Sequence, residues 1–240
     1  MSVDYSIIIP AYNEERWLPQ TLAALRQAMA TTPLDGELIV VDNNSSDATA
    51  RVASEGGAAV VFEPINQISR ARNAGVSVAQ GRYLIFVDAD TAITPELLQQ
   101  ALYNLQHGCC GGGVLVAFDQ KLRLDMRIGL ALWNAISRQR RWAAGCFVYA
   151  LREGFEAVGG FSQKVYASEE IWFSRAMRRW GRKRGMEFSI IEEHTALSSG
   201  RKLQWYSSAR QLGLLVMCLI MPWFVRFKVL CGFWYKRPNV

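Results

Sequence analysis

The chain lacks the features that would place it outside the ordinary globular class. No apolar run reaches the ~20 residues that a membrane-spanning helix needs. The uncharged stretch from Leu212 to Val225 stops at fourteen residues and is broken by Pro222. Extending it to Tyr235 would carry Arg226 and Lys228 into the bilayer at high cost. The opening Met-Ser-Val-Asp has neither a basic n-region nor an apolar h-region, so no signal peptide is expected. No internal repeat and no linker divide the 240 residues. Half of them are hydrophobic and a fifth charged, which excludes a disordered chain. The length suits one α/β domain with an appendage and buries a sizeable core. The five cysteines (Cys109, Cys110, Cys146, Cys218 and Cys231) are odd in number and match no zinc or redox spacing. Reduced, buried thiols are expected.

Acidic residues are absent from Arg201 to Val240, where there are seven Lys or Arg. The other two hundred residues carry 20 basic and 21 acidic groups, so the net charge of +6 belongs to the tail. A basic tail suits an anionic membrane surface as well as a polynucleotide. No nucleic-acid recognition module accompanies it, so no nucleic-acid partner is expected. Trp223, Trp234 and Tyr235 have the character of interface anchors. The stretch 212–235 is therefore expected to be a peripheral, membrane-facing helix; the alternative is a helix packed on the main domain, covering its sheet. The expected division is a domain over 1–205 and a tail over 206–240.

The first hundred residues repeat strand, polar turn, helix. Strands are expected at Tyr5–Ile9, Glu37–Val41, Ala58–Phe62 and Tyr83–Val87, each a short apolar run rich in β-branched residues. Leu18, Leu22, Leu25 and Met29 follow helical spacing, as do Ile68, Ala71, Gly75 and Val78. The polar cluster Asp42-Asn43-Asn44-Ser45-Ser46-Asp47 can cap a helix, and Thr94-Pro95 is a clean helix start. The expected fold class is α/β, with a mostly parallel central sheet covered by helices on both faces. The second half is less regular. Gly111-Gly112-Gly113 precedes a strand at Val114–Phe118, and Arg123–Arg141 looks like a basic amphipathic helix. A strand at Phe147–Leu151 leads to a short helix ended by Gly159-Gly160. Glu169–Trp180 reads as a helix ending at Gly181, followed by a strand at Phe188–Ile191.

Ligands of such sheets bind at the carboxyl ends of the strands. The polar residues after Ile9, Val41 and Val87 converge there. Asp88-Ala89-Asp90 closes a buried strand with two carboxylates. Burying them unpaired is costly, so they call for a cation, and oxygen ligands suit Mg²⁺ or Mn²⁺. An isolated Asp-x-Asp is more simply an acidic turn capping a helix; its place at the end of a buried strand favours the site.

Ser6 to Glu15 (SIIIPAYNEE), Ile39 to Asp47 (IVVDNNSSD), Ala71-Arg72-Asn73-Ala74-Gly75 and Asp88-Ala89-Asp90, in that order and at those separations, resemble the inverting family 2 glycosyltransferases. The resemblance covers roughly residues 4 to 200 and implies the nucleotide-binding fold called GT-A. It also implies transfer from a nucleotide-diphosphate sugar donor. By the same resemblance, Pro10, Ala11, Tyr12 and Glu14 match the loop against the nucleoside, Asp42 the contact to the base, and Arg72 a basic residue near the nucleotide. Asp88 matches the ribose and metal contact, and Asp90 the principal metal ligand. A divalent ion, Mn²⁺ or Mg²⁺, would stabilise the leaving diphosphate.

The sequence Ser168-Glu169-Glu170-Ile171-Trp172-Phe173 opens a helix where the family has Glu-Asp, with the Asp as general base. Glu170 matches that position with one more methylene, and Glu169 is the alternate. Acidic residues also favour helix N-termini for structural reasons alone. His194 can complete a metal shell as a neutral imidazole, although a lone histidine is more often structural. Arg201, next to Gly200, can pair with phosphate. The tail suits a lipid-linked acceptor, and the expected location is the cytoplasm, peripheral on the inner face of the cell membrane. Two further classes stay open. A nucleotidyltransferase on a related fold would carry a Gly-rich basic loop where Pro10–Glu15 stands. A non-catalytic, membrane-associated sugar-nucleotide-binding protein would have an incomplete site, yet both acidic motifs are present.

Overall fold

A computed structural model describes residues 3–201, 225–227 and 231 of the chain. The first half follows the expected alternation: β1 (Tyr5–Ala11), α1 (Leu18–Met29), β2 (Gly36–Asp42), α2 (Thr49–Glu55), β3 (Ala59–Phe62), α3 (Ile68–Val78) and β4 (Tyr83–Val87). A two-residue strand, β5 (Thr91–Ala92), precedes α4 (Pro95–Gln106). The Thr94 hydroxyl caps α4 by accepting from the Leu97 N–H at 3.3 Å, as the Thr-Pro pair implies. Then come β6 (Cys109–Phe118), α5 (Leu124–Arg140), β7 (Phe147–Leu151), α6 (Arg152–Val158), α7 (Glu169–Arg182) and β8 (Glu187–Ser198).

One sheet holds all eight strands in the order β3-β2-β1-β4-β7-β6-β8-β5. The first four are parallel, with Ile8 of β1 facing Ile39 on one side and Phe86 on the other. From β1 the chain builds outward to β3, then α3 returns it to the opposite side of β1, where β4 pairs. That reversal opens a crevice outside the carboxyl ends of β1 and β4. Beyond β4 the parallel repeat stops. β7 runs antiparallel to both β4 and β6, while β8 is parallel to β6.

Alternation along the strands divides the core between two faces. Ile7, Ile9, Val40, Ile85 and Val87 pack against Leu18, Leu22 and Leu25 of α1 and Leu97, Leu98 and Leu102 of α4. Ile8, Ile39, Val41, Leu84 and Phe86 face Ala71 and Val76 of α3, Phe155 of α6 and Phe173 and Met177 of α7. Helices therefore cover both faces, as expected. The inward face of α3 differs from the expected one: Val78 is exposed, and Ser69, Arg72, Gly75 and Val76 point inward. A Cβ on Gly75 would stand 2.4 Å from Ile8, so the helix lies tight on β1.

Two glycine-based expectations change and one holds. Gly111-Gly112-Gly113 lie inside β6 rather than before it, because neighbouring groups fill the space of their side chains. A Cβ on Gly112 would meet the Ser189 carbonyl at 1.9 Å and the Tyr149 hydroxyl at 2.3 Å. Gly181 does not end α7, which continues to Arg182 with Gly181 pressed on Cys110. Gly159 does terminate α6, in the left-handed conformation at φ 79°. Cys109, Cys110 and Cys146 are free thiols, and Cys110, Cys146 and Cys231 are buried; Cys218 lies outside the described residues.

The tail stretch 212–235 lies outside the described residues, apart from 225–227 and 231. Val225 and Cys231 pack with Val165 and Ala167, and the Tyr166 N–H donates to the Val225 carbonyl at 2.6 Å. Among the described residues no helix is long and apolar enough to cross a membrane.

The glycine environments make a paired prediction. Gly112→Ala forces backbone and Tyr149 apart and should cost about 3 kcal/mol or more. Gly129→Ala, in α5 with nothing within 4 Å, should stabilise by about 0.5–1 kcal/mol. Urea midpoints of the two variants check both signs.

Candidate active site

Three loops meet in the crevice at the strand reversal. The loop after β1 carries Tyr12, Asn13 and Glu14, with Asn13 at φ 51°, a conformation that asparagine tolerates. The loop after β2 grips it. The Asn13 N–H donates to the Ser45 hydroxyl at 2.9 Å, the Ser46 N–H to the Asn13 side-chain oxygen at 2.8 Å, and the Glu14 N–H to the Thr49 hydroxyl at 2.7 Å. Buried Asp42 accepts from the Ser45 N–H at 2.9 Å. Asn43 joins the third loop through its amide donors to the carbonyls of Glu63 and Ile65, and accepts from the Gln67 N–H. Pro10 and Ala11 are the last residues of β1 itself. The polar cluster therefore serves mainly to tie loops together. It also supports α2, where Asp47 accepts from the Thr49 N–H at 3.0 Å.

At the end of β4 each carboxylate of the Asp-Ala-Asp has its own arginine. Arg201 Nη2 donates to both oxygens of Glu14, at 2.6 and 2.7 Å, and to Asp90 at 2.9 Å. Its guanidinium lies 5.1 Å from the Trp17 ring centre, a cation–π distance. On the other side, Arg72 Nη2 donates to Asp88 at 3.1 Å and to the Gly145 carbonyl at 2.7 Å, while Nη1 donates to Glu169 at 2.5 Å. Arg72 is 1% exposed and sits 5.1 Å from the Phe161 ring centre. Its burial turns it away from the open crevice: it holds protein groups together.

Glu170 stands one residue along the same helix start, beside Gly145 and the Arg72 guanidinium. Burial raises its carboxyl to about 8, with the Glu169 charge adding to the rise and Arg72 opposing it. Burial draws the Arg72 guanidinium down, but Glu169, Asp88 and Glu170 together lift it above its ordinary value. The Cys146 thiol, close to Asp88 and Asp90, is pushed far up by burial and then by those charges, so it stays protonated.

The structure thus gathers Glu14, Asp88, Asp90, Glu169, Glu170, Arg72 and Arg201 around the crevice. It does not gather His194. That residue lies in β8 where the register with β6 is irregular, and its electrostatic partner is Glu96 at the start of α4. No group of three His, Cys, Asp or Glu is spaced to hold a metal among the described residues. Residue spacing gave no sign of Trp17 beside Arg201 or of the Gly145 carbonyl on Arg72. Those contacts join distant parts of the chain and carry no local pattern.

The family model described as glycosyl transferase family 2 matches residues 6–162. A glycosyltransferase of Mycobacterium tuberculosis is 37% identical over 103 residues, covering 43% of this chain and 44% of that protein. An undecaprenyl-phosphate 4-deoxy-4-formamido-L-arabinose transferase of Pseudomonas fluorescens is 33% identical over 111 residues, covering 43% of this chain and 32% of its own length. The match thus spans less than half of each relative. A mannosyltransferase of Pyrobaculum calidifontis, solved with GDP-Man and Mn²⁺, superposes with a TM-score of 0.63 at 16% identity, covering 82% of this chain and 57% of that one. The shared architecture is the GT-A fold.

The raised Glu170 carboxyl has a consequence for stability. An unfolded chain ionises this group in the ordinary carboxylate range, while the folded chain resists ionisation until about pH 8. Folding stability from this residue is therefore present at low pH and lost as pH climbs through that window. Glu170→Gln should raise Tm above wild type at pH 8.5 by about 2–4 °C per kcal/mol recovered, and the gain should vanish near pH 5. Thermal melts across that range check it.

Proposed function

The chain belongs to glycosyl transferase family 2, and on that premise we propose that it is a metal-dependent inverting transferase. It moves a sugar from a nucleotide-diphosphate donor to an acceptor hydroxyl or phosphate. The observation that carries this reading is the meeting, at the strand reversal, of the Asp88/Asp90 pair with the Glu169/Glu170 pair, joined through Arg72.

The donor set suits a hard divalent cation such as Mn²⁺ or Mg²⁺. Asp88 and Asp90 offer carboxylate oxygens alone, and such ions complete their shells with phosphate oxygens and water. The guanidinium of Arg201 against Asp90 and Glu14 supports a site built for positive charge. When bound, the cation would offset the charge of the leaving diphosphate. Pro10, Ala11, Tyr12, Glu14 and Asp42 line the approach for the nucleoside, and Asp88 is also within reach of the ribose in this reading. Arg201 is placed to turn from Asp90 to a donor phosphate.

The division of labour between the two glutamates follows from their partners. Glu169 is held by Arg72, which leaves Glu170 as the base. The acceptor hydroxyl oxygen forms a bond to the anomeric carbon, the bond from that carbon to the diphosphate oxygen breaks on the opposite face, and the hydroxyl proton passes to Glu170 in its ionised form, so transfer to a hydroxyl should rise as pH climbs toward about 8. A phosphate acceptor arrives ionised and needs no base. The relative named for undecaprenyl phosphate and the basic tail support a lipid-linked acceptor, with membrane contact through 212–235 on the cytoplasmic face.

A panel of nucleotide sugars, assayed with and without Mn²⁺ for nucleotide release and thermal shift, tests the reading. One donor should respond, and only with metal. Asp90→Asn should lower turnover at least about 100-fold, as loss of electrostatic stabilisation does. Glu170→Gln should lower transfer to a hydroxyl acceptor by roughly 10²–10⁴. No response to any donor, or full metal-dependent turnover in Asp90→Asn, contradicts it.

A further inference from the structure

We propose that the outer face of α5 is a docking surface for an anionic lipid bilayer, separate from the tail. Among the described residues, the helix is held to the domain by one side. Leu130 and Trp133 pack against the core, Asn134 bonds both the N–H and the carbonyl of Val116, and Ser137 is buried. The opposite side is apolar and open: Leu124 is 71% exposed, Ile128 62% and Leu132 48%. With successive residues about 100° apart, Leu124, Ile128, Ala131 and Ala135 fall within about 60° of one another. That is a continuous stripe, unlike scattered surface leucines.

Charge selects the occupant. Residues 121–141 contain six Lys or Arg and one Asp. Arg127 and Arg138 lie along one margin of the stripe by the same helical angles. The pairs Arg138–Glu192 and Arg123–Asp125 are exposed and so hold their arginines weakly. An apolar stripe edged by arginines is the pattern of a helix lying in a lipid interface, with its apolar side among the acyl chains and its cations at anionic headgroups. A second copy of the chain would set like charges against each other. A face this narrow is also small for a stable protein interface of ~800 Å² per partner.

The position of the helix gives the contact a use. The Asp119 side chain, five residues before Leu124, accepts from the Gly200 N–H at 2.9 Å, and the Asp119 N–H donates to the Ser198 carbonyl at 3.2 Å. Arg201 follows Gly200 directly and holds Asp90. The first turn of α5 is therefore tied to the mouth of the crevice, and docking by this face brings that mouth to the lipid surface. The inference concerns where the protein binds and holds for any acceptor.

The test is cosedimentation of the full chain with phosphatidylcholine vesicles, with or without phosphatidylglycerol. Wild type should bind the anionic vesicles, and salt should weaken binding. Leu124→Gln/Ile128→Gln keeps the charge and alters only exposed positions; it should bind at least about tenfold more weakly, since the apolar insertion is lost. Hydrogen exchange of the wild type should show vesicle-induced protection over 121–135, which needs no variant to fold. Unchanged binding by the double variant, no protection in α5, or a wild-type dimer that the variant dissociates would each overturn the proposal.

Discussion

The crevice depends on one buried cation. Arg72, almost wholly enclosed, bridges the end of β4 through Asp88, the entry to β7 through the Gly145 carbonyl, and the start of α7 through Glu169. A guanidinium and the Glu169 carboxylate taken out of water are tolerable only when paired and hydrogen-bonded, and half-buried Asp88 shares the same guanidinium. The pairing fixes the spacing between the aspartates and the glutamates. It also separates the roles of Glu169 and Glu170, adjacent in sequence. One is neutralised by the arginine; the other is left in a low-dielectric site beside like charges, where its carboxyl resists ionisation.

Arg201 is the counterpart at the outer side. It gathers Glu14 from the loop after β1 and Asp90 from the loop after β4, with Trp17 against its guanidinium. The two arginines divide the acidic crevice between them. Arg72 lies inside and is committed to protein partners. Arg201 comes from the end of the described domain, where β8 gives way to the tail, and it is more accessible. A crevice with this charge pattern suits a ligand that is itself a diphosphate with a cation.

Much of this was legible from residue patterns, and what was not has identifiable physical causes. The strand–turn–helix repeat of the first hundred residues was readable because β-branched runs buried on both faces and leucines at helical spacing are local signals. Thr94-Pro95 marked its helix for the same reason. The mixed direction of the sheet was not readable, since Phe147–Leu151 forms an equally apolar strand whichever way it runs. The triple glycine reads as lying before its strand because its purpose, making room for Tyr149 and the Ser189 carbonyl, is set by partners distant in sequence. The motif placed Arg72 near the nucleotide; packing placed it beneath, on the inward face of α3, where an arginine is unexpected. His194 carries no local pattern that separates a structural histidine from a ligand, and it lies in β8 where the register with β6 is irregular.

The central claim is that Arg72 is an internal strut whose charge is required by Glu169. A double-mutant cycle of Arg72→Met and Glu169→Gln, read by urea unfolding, tests it most directly. Arg72→Met alone should cost about 3–5 kcal/mol, because it strands a buried carboxylate. Adding Glu169→Gln should recover a large part of that loss, giving a coupling of roughly 1–3 kcal/mol. Strictly additive losses, or an Arg72→Met protein as stable as wild type, would contradict the account.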